Sequence, residues 1–175
     1  MITSNQIEES TKINSAAKLW ARDNLDYLNS KNRLLGSSLK VEKGEKEGYY
    51  TSILYLQPAD KIATKTLCAG AKLNGCKEPC LISSGQLGMT TGQNAATRRT
   101  IMLLLDPDRF YEQLTKEIGR EYAKHGRKLA IRLNGTSDID FGDYIATMPR
   151  VRFYDYTKVY KRVAANDLLN YDLTY

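Results

Sequence analysis

Between Ile7 and Leu28 apolar residues return at Ile13, Ala16, Ala17, Trp20, Ala21, Leu25 and Leu28. That spacing draws one helical face, so the pattern predicts an amphipathic helix. Leu34-Leu35-Gly36-Ser37-Ser38 interrupts it. Next come Leu39 to Glu42, a charged glycine-bearing turn from Lys43 to Gly48, and Tyr49 to Leu56, which is rich in aromatic and β-branched residues and closed by Pro58. A β-hairpin, or at least one strong strand, is the economical assignment.

Helical spacing resumes from Asn94 to Leu105. Asp106-Pro107 then supplies an N-cap and a first-turn proline, and Phe110, Tyr111, Leu114, Ile118 and Tyr122 mark the buried face of a second helix ending at Gly126. Lys128 to Leu133 alternates as a strand does and terminates in Asn134-Gly135-Thr136-Ser137-Asp138. A similar arrangement recurs. A short helix from Phe141 to Thr147 leads to a strand from Val151 to Tyr156, which ends in Thr157-Lys158. A helix from Val159 to Leu169 then leads to a strand from Tyr171 to Tyr175.

Strand, polar loop, helix and strand at this spacing predict an α/β fold. It reads as a partial βα barrel or a small, mostly parallel sheet with flanking helices, preceded by an N-terminal helix and a β-hairpin. Residues 1–36 read as an N-terminal helical segment and 37–175 as the α/β domain, within a single domain overall. Repeated βα units would place a loop and helix after the Tyr171–Tyr175 strand, so the chain reads either as a shortened form of a longer βα protein or as one whose last strand closes a small sheet.

Composition adds little to this picture. No apolar run is long enough to span a bilayer and the N-terminus lacks a secretion-signal profile, so a cytoplasmic protein with reduced thiols and no membrane partner is expected. The formal charge of +6 suits a nucleic-acid or phosphate-bearing partner, and serves equally for solubility.

The chain's three cysteines fall together at Cys68, Cys76 and Cys80, spaced C-x7-C-x3-C on a stretch broken by Gly70, Gly75 and Pro79. Three thiolates are one short of a closed zinc or iron–sulfur site and would leave one position open. Small buried hydrophobes, or a disulfide with one thiol left over, are the alternatives.

Ligands of βα folds bind at the carboxyl ends of the parallel strands. On that edge the pattern gathers the cysteine loop, then Asn134, Thr136, Ser137 and Asp138, then Asp155, Tyr156, Thr157 and Lys158, with Arg132 on a strand beside them. These groups suit a polar, nucleoside-like or phosphorylated ligand. The same residue types are also those that organise turns. The small-residue run from Ser83 to Gly92 reads either as backbone approaching a ligand or as a connector.

The one histidine, His125, lies near the polar end of a helix and reads as solvated, with no nucleophile beside it. Arg98-Arg99, Arg127-Lys128 and Lys158 to Arg162, with Tyr154, Tyr156 and Tyr160 among them, could form a nucleic-acid footprint or simply rim the core.

Four strings carry a resemblance: Gly48 to Ala59, the cysteine loop, Arg132 to Ile139, and Phe153 to Lys158. Together they resemble a bacteriophage protein family loosely related to the phage gene product eighty-eight group, from Gly48 onward. In outline that group is similar to radical S-adenosylmethionine proteins. The similarity implies a partial βα barrel with Cys68, Cys76 and Cys80 holding a [4Fe–4S] cluster. The spacing usual there is C-x3-C-x2-C, and both gaps are longer here, which counts against S-adenosylmethionine as cofactor.

Two functional readings follow. In the first, a three-cysteine zinc or iron–sulfur site at the strand edge accompanies a pocket for a nucleotide-like ligand. In the second, a non-catalytic phage accessory protein binds nucleic acid or a host protein in the host cytoplasm, in replication or against host defence. Neither reading singles out a catalytic residue.

Overall fold

The computed structural model describes residues 1–37, 41, 48–76, 80–83 and 85–175. Five strands form one sheet: β1 (Leu35–Gly36), β2 (Tyr50–Leu54), β3 (Leu129–Arg132), β4 (Arg152–Tyr156) and β5 (Tyr171–Thr174). They lie side by side in chain order; β1 runs antiparallel to β2, and every later neighbour is parallel. The α/β class and its mostly parallel sheet are as the βα pattern predicts.

A sheet built in chain order, with each crossover of the same hand, collects its crossovers on one face. Burial follows this. Leu129, Ile131, Phe153 and Tyr171 join Met102, Phe110, Leu114, Ile118, Phe141 and Ile145 in the main core. The alternate residues Arg152, Tyr154 and Tyr156 face the other way.

The core-side helices are α5 (Thr90–Leu105), α6 (Pro107–His125) and α7 (Gly142–Ala146); α4 (Gly85–Gly88) precedes them and α8 (Tyr160–Ala165) joins β4 to β5. Pro107 opens α6 as predicted. Asp106, however, makes no side-chain cap and sits 3.7 Å from the N-terminal ammonium. Gly126 stops α6 with φ of +58°, a conformation L-residues avoid.

Several expectations change. In place of one helix from Ile7 to Leu28 stand α1 (Ser4–Glu9), α2 (Ser15–Asp23) and α3 (Leu25–Asn29). Asn14 ends the continuity because its side chain accepts the Ala17 N–H as an N-cap, while Ile13 pairs with Ala63. These helices close a second core of Ile7, Ile13, Ala17, Ala21 and Leu28 over Ile62 and Ile101. The Lys43–Gly48 turn and the Leu39–Glu42 arm lie largely outside the described residues, and the described antiparallel partner of β2 is Leu35–Gly36.

Glu117 of α6 holds that edge: its buried carboxylate accepts the N–H groups of Leu34 and Leu35 at 2.9 Å. His125 is not solvated. Its ring stacks on Tyr50 at 3.8 Å and is only 11% exposed. Nor is Arg98 part of a basic surface; it is buried and donates to the carbonyls of Tyr27 and Ser30. Among the described residues no helix is long and apolar enough to cross a membrane.

Candidate functional site

The loops leaving β2, β3 and β4 surround a cavity of about 630 Å³ at the carboxyl edge of the sheet. Arg132, Asn134, Thr136, Ser137, Asp138, Tyr156 and Lys158 all line it, as do Cys68, Cys76 and Cys80. The walls therefore carry every predicted site residue except Asp155, which lies behind them. Pro58, Ala59, Ala71 and Ile82 supply apolar lining, and Lys61 adds a cation that the motif reading did not flag.

Most of the polar side chains are engaged by the loops themselves. Asn134 is the hub of its turn: its Oδ1 accepts from Ser137 Oγ and the Ile139 N–H, and its Nδ2 donates to the Ile139 carbonyl. Thr136 donates to the Leu56 carbonyl, pinning this loop to the end of β2. Gly135 permits the approach, since a Cβ there would sit 2.8 Å from the Leu54 oxygen.

Asp138 joins three segments. Its N–H donates to the Leu67 carbonyl, its Oδ2 accepts the Lys158 N–H at 2.9 Å, and its Oδ1 is ion-paired with Arg162. Arg162 also donates to the Ile139 carbonyl, so it clamps these loops. A parallel bridge between Cys68 and Asp138 seats the cysteine loop, and Gly70 abuts Lys158 so closely that a Cβ would lie 2.5 Å from the Lys158 Cβ.

Asp155 sits under the cavity floor, 1% exposed. It accepts the Asn134 N–H at 2.7 Å and the Tyr171 hydroxyl at 3.3 Å. Burial pushes its pKa up to about 6, against the lowering pull of the Asn134 N–H and of Arg132. Arg132 approaches it no nearer than 4.0 Å. Among the described residues the buried Arg132 Nε has no hydrogen-bond acceptor, while the guanidinium lies 5.1 Å over the Tyr156 ring.

A model of gene product 88 matches residues 27–175. The chain belongs to the phage gene product 88 family. The match begins in α3, ahead of Gly48, and includes the whole sheet and all three cysteines. No curated protein and no solved structure matches the chain.

Within this gene product 88 fold the cysteines share a cavity but not a coordination sphere. Among the described residues no group of three or more His, Cys, Asp or Glu side chains is placed to hold a metal ion. All three thiols are free of disulfides. Cys68 accepts the Ala59 N–H at 3.2 Å and its Sγ lies 3.7 Å from the Thr136 carbonyl oxygen. Burial raises its pKa. The zinc or iron–sulfur centre expected from the three clustered cysteines does not fit these side chains as arranged.

The glycine run after the cysteines also changes meaning. A Cβ at Gly88 would meet the Ser83 oxygen at 2.7 Å, and one at Gly92 the Gln86 oxygen at 2.4 Å. The close backbone approach is to the chain itself, where α4 folds against the start of α5.

Proposed function

We propose that the cavity binds a small anionic, nucleotide-like ligand. One observation carries this reading: the Arg132 guanidinium lines the cavity, and among the described residues its one ion-pair partner is Asp155, 4.0 Å away beneath the floor. A guanidinium bonds phosphate oxygens through strong charge-assisted hydrogen bonds. A phosphate in the cavity would take up that charge. Lys158 and Lys61 line the same cavity together with Asp60 and Asp138, so the incoming charge would meet three cations against two carboxylates.

The apolar patch of Pro58, Ala71 and Ile82, with the Tyr156 ring, suits a flat, weakly polar group such as a base. Asn134, Thr136 and Ser137 serve this reading as builders of the wall, because their side chains are already bonded within the loops. The cysteines line the pocket as well.

Isothermal titration of the whole chain with mononucleotides and with the matching uncharged nucleosides tests the proposal. Phosphate-dependent binding that Arg132→Gln abolishes is the expected result. Equal affinity for nucleoside and nucleotide, or no binding of either, would overturn it.

A further inference from the structure

The carboxyl edge of the sheet carries a second feature that the cavity does not account for. Tyr156, Tyr160 and Tyr175 are 55%, 67% and 59% exposed. Tyr160, which opens α8, and Tyr175, which follows β5, come together, whereas Tyr156 faces the other side of β4 beside Arg132. Tyr160 and Tyr175 meet edge to face with ring centroids 6.0 Å apart.

Cations are interleaved with these rings. Arg132 lies over Tyr156, and Lys158 Nζ lies 5.9 Å over Tyr175. Lys161 is exposed on the next turn of chain. The acidic residues nearby are already paired: Asp138 and Asp140 with Arg162, and Asp172 with Arg152. Lys158 and Lys161 have no ion-pair partner among the described residues. What this edge leaves uncompensated is positive charge and aromatic ring face.

We infer that this edge binds single-stranded nucleic acid, its bases stacking on Tyr160 and Tyr175 and its backbone running past Lys161 and Lys158 toward Arg132. The inference rests on the nucleotide reading of the cavity, into which one nucleotide of the strand would enter. Ring faces that stack bases require bases that are unstacked, which a duplex does not offer. The cation–ring pairs hold the rings in place and set positive charge where phosphates would pass. Duplex DNA or RNA would meet the same charges but not the rings.

Fluorescence anisotropy with a labelled oligonucleotide of about 15 nucleotides, a length near the upper site size of single-strand binders, tests this against a duplex of equal length. The single strand should bind more tightly. Its log affinity should fall with log salt at a slope of about −2, from three cations at about 0.7 each. Tyr160→Ala and Tyr175→Ala, both at exposed positions, should each weaken binding roughly tenfold, the order found for one stacked base. The corresponding Tyr→Phe variants should retain it.

Mononucleotide titration of the same alanine variants separates the two proposals. Mononucleotide affinity kept while oligonucleotide affinity falls supports both. Mononucleotide binding with no oligonucleotide binding refutes this inference and leaves the cavity reading standing. A duplex bound as tightly as the single strand, or alanine variants with unchanged oligonucleotide affinity, also refutes it.

Discussion

Changing Asp155 to Asn replaces a buried carboxylate with a neutral group of the same shape. The amide oxygen can still accept the Asn134 N–H, which lies 2.7 Å from the carboxylate. The Tyr171 hydroxyl, 3.3 Å away, can accept from the new NH2. What vanishes is the titration. The Asp155 pKa stands at about 6 against an ordinary 3.8. The folded chain therefore holds this proton more tightly than the unfolded one. The stability this gives is fully present below the ordinary pKa and is lost as pH rises through the folded value.

A shift of roughly two units at about 1.36 kcal/mol each amounts to about 3 kcal/mol in all. The greater part, about 2 kcal/mol, falls between about pH 4 and about pH 7. Urea unfolding of wild type and Asp155→Asn across that window measures it, and the difference between the two proteins cancels every other titrating group. Relative to wild type the variant should gain about 2 kcal/mol over the window. A pH-independent difference would refute the reasoning. A wild type that gains on the variant as pH rises would show that the Arg132 attraction, not burial, dominates.

Two further substitutions probe how the site is held. Glu117→Ala leaves the buried N–H groups of Leu34 and Leu35 without their acceptor, so about 3 kcal/mol of stability should be lost, at about 1–3 kcal/mol per orphaned group. A loss under about 1 kcal/mol in urea unfolding would mean that water reaches them. Gly70→Ala drives a methyl into Lys158 and should cost about 1–3 kcal/mol as an overpacked contact. An unchanged unfolding midpoint would show that the cysteine loop is free to shift.

The later strands were legible because a sheet with one buried face imprints a period of two. Ile131 is buried between half-buried Ala130 and Arg132, and Phe153 between Arg152 and Tyr154, while Asp155 holds a buried position with a polar side chain. The carboxyl-edge location of the site followed from those strands. What could not be read is how each polar side chain is used. Whether the Asn134 amide meets a ligand or its own turn depends on where the Ile139 backbone lies, and it lies within reach.

Spacing likewise said that the thiols share a loop, not which way they point; Cys68 points into backbone groups of Ala59, earlier in its own segment, and Thr136, in the loop after β3. Arg162 was legible as a basic residue near the site, but its task emerges only when Asp138, Asp140 and Ile139 converge on it. His125 looked like a helix-end cation because its partner, Tyr50, lies far off in sequence.

The strand order has a consequence for how the molecule comes into being. The segments joining β3 to β4 and β4 to β5 are residues 133–151 and 157–170, whereas β2 must find β3 across residues 55–128. Closing the longer segment costs more chain entropy, and pairings between distant parts of a chain form late. The cysteine loop belongs to that long segment and meets the far side through the Cys68–Asp138 rung. A newly made or partly opened chain can thus present a finished β3–β5 sheet while having nowhere for a ligand to lodge. Occupancy of the cavity would then mark molecules that have completed folding.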